Sequence, residues 1–424
     1  MGGTTKLIGS SAILSLSVLS CAPPVFAQDF GPQDNAVETQ NASNILDKIK
    51  FSADFRLRYQ GVDVEGGEPN GDALTLRAFG AAQANLGHGF SVRGEVEAIA
   101  ALVDDFNDGT DPIPDSAFIP DPEGVAINRL KLVSETIPKT RVSLGRQRIA
   151  LNDWRFIGSF AFRQNDQTFD ALRVETRAFD FGNDTGVLDV GVFDQVNRPL
   201  GPDNPIGTFT GTSWYANYGV TTPIGRLVGF HYDFALNTPE GDDSTATTGA
   251  RLLGRLHSPD FGVIWEGSYA VQKDNRDNPN EFELDYWLGS LRLEPKEWVF
   301  MLRGEELGAQ DGQSLQTPLA SLHRFSGLAD QFIITPPDGL RDLSFLVERK
   351  LGQIGPFERV KIGAHAHQFK DAGGDLTYGT ELDLTLSARV GKALISLEHA
   401  RYEADNFSED TRSTVVSLSY AFGN

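Results

Sequence analysis

From Ile49 the chain alternates. Ile49, Phe51, Ala53, Phe55, Leu57 and Tyr59 stand between Lys50, Ser52, Asp54, Arg56, Arg58 and Gln60. A period of two places the first set on one face of a strand and the charged set on the other. Leu74, Leu76, Ala78, Gly80, Ala82 and Leu86 repeat the pattern, as do Phe90, Val92, Gly94, Val96 and Ala98. Near the end, Tyr378, Thr380, Leu382, Leu384, Leu386, Ala388 and Val390 alternate with Glu381, Asp383, Thr385, Ser387 and Arg389. Thr414, Val416, Leu418, Tyr420 and Phe422 close the series. Further strands are predicted near 127–136, 140–149, 169–179, 187–196, 212–221, 226–237, 247–258, 262–273, 282–293, 298–306, 343–351, 358–369 and 393–403. The tally is about 18, an even number as in single-chain outer-membrane barrels. The segments at 127–136, 282–293 and 393–403 are ambiguous in phase, so about 16 is the other count.

The connections sharpen the prediction. With the N-terminus in the periplasm, every even-to-odd connection is short: Gly87-His88-Gly89, Ile137-Pro138-Lys139, Asp180 to Gly186, Thr222 to Gly225, Pro259-Asp260, Glu294 to Glu297, Gly352 to Pro356 and Gly391-Lys392. The others are mostly long: 102–124, 150–168, 197–211, 238–246, 274–281, 307–342, 370–377 and 404–411. Short turns on one side and long loops on the other fit a transmembrane antiparallel β-barrel, an all-β fold, better than a soluble sandwich or a β-helix.

Composition agrees. Only 40% of the 424 residues are hydrophobic, too few for a bundle of membrane helices, whereas barrel strands are half polar. Lys6, the apolar run Leu7 to Leu19 and Val25-Phe26-Ala27 read as a signal peptide over residues 1–27, cleaved after Ala27. Val18-Leu19-Ser20-Cys21 is a rival lipobox that would make Cys21 a lipidated first residue. A periplasmic tail is expected over 28–47 and the outer-membrane barrel over 48–424. The net charge of -21 argues against nucleic acid as a partner.

The average hides a segregation. If the apolar face meets lipid, the lumen receives Lys50, Arg56, Arg58, Arg77, Arg93, Arg129, Lys131, Arg141, Arg173 and Arg177. Asp54, Glu95, Glu97 and Glu175 share that face and neutralise part of it. A narrow lumen focuses such a field on anions, and arginine's planar fork matches a carboxylate. The rival reading is a set of Arg–Glu pairs that brace the wall. Between Leu144 and Leu172, Arg146, Arg148, Arg155 and Arg163 crowd among Gln147, Asn152, Asp153, Gln164, Asn165 and Asp166. That segment reads as a strand end and loop lining a wet cavity, against a plain solvated loop. The acidic 104–123 loop lacks EF-hand spacing, because Phe106 occupies a ligand position, and is expected to be solvated and external. In 307–342, Leu319, Leu322, Phe325, Leu328 and Phe332 suggest a short amphipathic helix ended by Pro336-Pro337, either constricting the pore or capping it.

Two stretches carry a family resemblance. Gly145-Arg146-Gln147, Arg155, Gly158, Arg163-Gln164-Asn165 and Phe169-Asp170 within 144–172 resemble one signature of the alginate export family of outer-membrane porins. The stretch 319–342, with Ala329-Asp330-Gln331-Phe332, Thr335-Pro336 and Gly339-Leu340-Arg341-Asp342, resembles the other. Gln331 and Arg341 are insertions relative to that pattern. The resemblance implies a monomeric barrel of about 18 strands with an arginine-lined, anion-selective lumen that exports an acidic polysaccharide, fed by periplasmic export components. The alternative is a general or small-anion uptake porin.

Catalysis finds no motif: no GxSxG elbow, Walker loop or CxxC occurs. His365 and His367 lie two apart on one strand face, but no third metal ligand is evident at a suitable spacing, so neither a metal nor a cofactor is expected.

Overall fold

The computed structural model describes residues 49–66, 70–110, 116–177, 180–181, 184–238 and 241–423. The expected signal peptide and periplasmic tail lie outside the described residues. Eighteen antiparallel strands form a closed barrel. In chain order they are β1 (Ile49–Val64), β2 (Gly71–Gly87), β3 (Phe90–Asp105), β4 (Gly124–Ser134), β5 (Thr140–Gln147) and β6 (Thr168–Thr176). There follow β7 (Val187–Asn197), β8 (Thr208–Thr222), β9 (Gly225–Phe234), β10 (Thr245–Ser258), β11 (Phe261–Asp274) and β12 (Glu283–Pro295). The wall ends with β13 (Trp298–Leu307), β14 (Leu340–Ile354), β15 (Phe357–Lys370), β16 (Thr377–Val390), β17 (Ala393–Ala404) and β18 (Thr411–Phe422). β18 returns to β1 in a register running from Ala53↔Phe422 to Val64↔Thr411, so the barrel wall has no free edge. Closure satisfies every ladder hydrogen bond inside the protein, as a wall in hydrocarbon demands. The three segments of ambiguous phase are all strands, which decides between the two counts.

The outer face is the apolar one. Phe51 is 66% exposed and Leu144 57%, while Arg58 on the inner face is 1% exposed. Aromatics gather at both ends of the strands. Phe90, Phe261, Trp298 and Phe357 sit at the short turns, and Tyr59, Tyr269 and Trp287 toward the long loops. There the Tyr59 hydroxyl donates to Asp72 at 2.5 Å and Tyr269 to Asp285 at 2.6 Å, giving each ring a polar anchor above the lipid. The two-residue turn His88-Gly89 has φ of 51° and 78°, the left-handed pair that matches the twist of a tight hairpin.

The hydrophobic core lies inside the barrel. Ile149, Leu151, Phe156 and Ile157 from the 148–167 loop join Leu315, Leu319, Ala329 and Phe332 from the 308–339 loop. These pack on inward rings of the wall: Phe156 lies 5.1 Å from Tyr286, and Phe332 lies 4.4 Å from Phe369. Both loops fold inward, so the 308–339 segment is not an external cap. Nor does it form the expected amphipathic helix; its one helical piece is a 3-10 turn, Leu322–Arg324, after a short hairpin of Ala309–Gln310 with Gln313–Ser314. Positive φ at Ser326 (59°), Gly327 (87°) and Asp330 (59°) interrupts any helix, and the backbone pairs with the other loop instead. The acidic 104–123 loop also departs from expectation. Phe106, Ala117, Ile119 and Asp121 are buried, so this loop too is drawn into the barrel mouth rather than solvated throughout.

Candidate functional site

The two inward loops are clasped together. Gly158 N–H donates to Leu319 O at 2.8 Å, and Ser321 N–H donates to Trp154 O at 3.0 Å. Gln167 Nε2 adds a bond of 2.9 Å to the same Leu319 oxygen. Glycine at 158 is a steric necessity, because a Cβ there would meet Ser321 Oγ at 2.3 Å and Ser321 N at 2.7 Å. Arg155 ties the clasp to the wall, donating to Glu305 at 2.9 Å and to Thr317 at 3.1 Å. Arg163 crosses to Asp330 at 2.6 Å, and Phe162 stacks on His323 with ring centroids 3.3 Å apart.

Most of the predicted cations lie along the inner wall between β1 and β6 and carry partners. Arg58 reaches Asp121 at 3.2 Å and lies 3.9 Å over the Phe162 ring. Arg56 donates to Gln164 at 2.8 Å and to Ala161 O at 2.9 Å, holding the 148–167 loop. Arg77 pairs with Asp54, and Arg148 with Asp166. Arg93 and Arg129 converge on Glu95, the former at 2.8 Å. Arg173 makes a fork to Asp189 at 2.9 and 2.6 Å. Lys131 is buried on this wall and Arg141 half-buried, while Lys50 and Arg177 are exposed near the short-turn rim.

Arg146 departs from the expected lumenal set. It stands opposite Leu130, which is 53% exposed on the outer face, and opposite Asp170 on the other side. Directly paired residues share a face, so Arg146 projects outward, where it forks to Asp170 at 2.8 and 2.9 Å. The strand ends at Gln147, two residues short of the predicted 149, and alternation from Leu144 gives the inward position to Gln147.

Within the lumen, the loops and wall enclose a cavity of about 280 Å³. Four guanidinium groups face it, from Arg163, Arg198, Arg303 and Arg324. Of these only Arg163 was among the predicted cations. Arg303 has Glu305 at 3.2 Å and Arg163 has Asp330. Arg198 and Arg324 have no carboxylate within ion-pair distance among the described residues. Arg198 donates to Ile206 O at 2.8 Å and lies 4.5 Å over Phe209; Arg324 lies 4.9 Å over Trp154. Burial draws both down to about 10, which leaves both cationic at neutral pH. Trp154, Phe160 and Phe325 add aromatic rings to the cavity lining. The wall from β13 to β17 is acidic, with Glu305, Asp342, Glu348, Glu381, Asp383 and Glu398 all buried and Arg303 among them. The lumen thus has a cationic stretch of wall and an acidic one.

His323 stands between them. Its Nδ1 lies 2.8 Å from Asp330 and its Nε2 3.2 Å from Glu398. Burial alone would lower its pKa, but the two carboxylates overcome that and hold it above the ordinary value. Burial likewise favours the neutral form of Asp330, and His323 and Arg163 override it to keep the carboxyl below its ordinary range.

No known family model matches the chain, and no curated protein does. Solved structures do. The outer membrane protein OpdK of Pseudomonas aeruginosa superposes with a TM-score of 0.67 at 15% identity, covering 90% of this chain and 100% of its own. Pseudomonas aeruginosa OccK9 (OpdG) gives 0.69 at 13%, over 90% and 100%. Acinetobacter baumannii OccAB4 gives 0.67 at 14%, over 89% and 98%. The chain has the closed 18-stranded β-barrel fold of these outer-membrane proteins. These neighbours correct the alginate-export resemblance: the barrel matches Occ and Opd proteins, and the two signature-like stretches find no support in any family model. In this fold those stretches are the two inward loops, where glycine at the clasp, arginine in the bridges and aspartate at the turns answer local packing needs. Polysaccharide export and its periplasmic partners go with that correction.

Proposed function

We propose that this barrel is a passive channel for uptake of small organic anions, with a preference for aromatic carboxylates. The observation that carries the reading is the lumenal cavity in which no carboxylate among the described residues lies within ion-pair distance of Arg198 or Arg324, with the rings of Trp154 and Phe325 beside Arg324. A carboxylate gains charge-assisted hydrogen bonds from such a fork, and a flat ring gains apolar contact next to it. The inner-wall arginines around Arg56 and Arg58 extend the positive field toward this cavity. One structure of OpdK was determined with vanillate, an aromatic carboxylate, which accords with the same ligand class. The wall offers carboxylates as well as arginines, so a solute with one anionic end fits the lumen better than a polyanion facing acid on every turn.

Proteoliposome influx tests this. Vanillate should enter at several times the rate of vanillyl alcohol, its uncharged counterpart of the same size. Equal rates, or faster entry of the alcohol, would overturn the reading.

A further inference from the structure

The acidic wall also gathers two histidines and an aspartate. His365 and His367 occupy one inward face of β15, and Asp383 of β16 lies directly opposite His365 in the ladder. The ligand atoms of all three fall within 4.8 Å of one another. His367 Nε2 lies 3.5 Å from Asp383 Oδ2. His365 Nε2, His367 Nε2 and both Asp383 oxygens are buried without a hydrogen-bond partner. Buried polar atoms left unsatisfied in so small a cluster are costly, and a shared cation would satisfy them. The second shell fits too: Asp342 accepts from His367 Nδ1 at 2.9 Å, which fixes that ring and turns Nε2 toward Asp383. Glu381 adds another buried carboxyl on the adjoining inward position, and Arg303 is the cation near His365.

We infer that His365, His367 and Asp383 form a binding site for a borderline divalent metal ion such as zinc. Two imidazoles and one carboxylate are a donor set suited to zinc, nickel or copper rather than magnesium or calcium. Tetrahedral zinc needs donors about 3.4 Å apart, so modest side-chain rotation brings the three together. Three protein ligands leave a fourth position open, and the three residues line the same cavity as the arginines, so that position faces the lumen. The sequence alone hides this site because its third ligand comes from the next strand, 16 residues beyond His367 but across the ladder from His365.

The test is a zinc titration of the full-length barrel in detergent after chelator treatment, read with a competing fluorescent indicator. One equivalent of zinc should bind with micromolar or tighter affinity. His365→Gln and Asp383→Asn should each weaken binding at least tenfold, and Asp342→Asn by about 10- to 100-fold through the second shell. His257→Ala, an exposed histidine away from the cavity, should change nothing. Cobalt loading of the unmodified protein gives an independent reading, a visible absorption band of tetrahedral intensity, which holds if a variant fails to fold. No zinc binding and no cobalt band in the folded protein would overturn the site. So would zinc affinity unchanged in both His365→Gln and Asp383→Asn.

Discussion

At the scale of single residues, the cavity turns on groups whose partners, or want of partners, come from distant parts of the chain. Arg324 sits in a loop with no alternation to place it, and Arg198 follows the end of β7, so neither could be assigned to the lumen by phase. Arg58 and Arg77 could, because the period of two holds through β1 and β2. Arg146 could have been placed too: it lies two residues beyond the lipid-facing Leu144, so the same alternation puts it on the outer face. Replacing Arg146 with glutamine should therefore leave ion selectivity unchanged, which reversal potentials check against an Arg324→Gln variant that should lower it. His323 gives a pH signature. Its folded-state pKa is raised, so the stability of its bridges is full below the ordinary imidazole value and is lost as pH rises through the raised value. Asp330 is depressed, so its share is present above the ordinary carboxylate range and is lost as pH falls through the lowered value. Single-channel current should be quiet between those limits and grow noisier as pH rises past His323's titration, where the clasped loop loses a charge. His323→Gln should abolish the pH dependence of that noise.

At the scale of elements, the strands were legible and the loops were not. Strand phase is set by which face meets lipid, a property each segment carries by itself, and even β4, β12 and β17 took their places once their neighbours fixed the register. The inward loops owe their course to contacts with each other. Nothing local to 308–339 announces that Leu319 O will accept from Gly158, or that Phe332 will meet Phe369 rather than a helical neighbour. Long apolar-spiced loops in a barrel were a sign that something was to be buried, but not where. Gly158→Ala tests the clasp. The added Cβ must push Ser321 aside, an overpacking cost of about 1–3 kcal/mol at a close backbone approach. The barrel should still fold, since no strand is touched, while unitary conductance changes and its variance rises. Conductance identical to the unmodified channel would show that the clasp does not shape the permeation path.

At the scale of the whole molecule, a chain of net charge -21 presents a cationic inner wall along its first strands and an acidic wall along its last. The overall charge therefore says little about the path a solute meets; the local field does. That field weakens as salt shortens the screening length from about 10 Å at 0.1 M to about 3 Å at 1 M, so anion preference should fall over that range. The most direct measurement is the reversal potential of the refolded barrel in a planar bilayer under a salt gradient, with vanillate added and with Arg198→Gln/Arg324→Gln as comparison. An anion-directed potential, current block by vanillate, and at least tenfold weaker block in the double variant are predicted. A cation-directed potential, or vanillate block that survives both substitutions unchanged, would contradict the account.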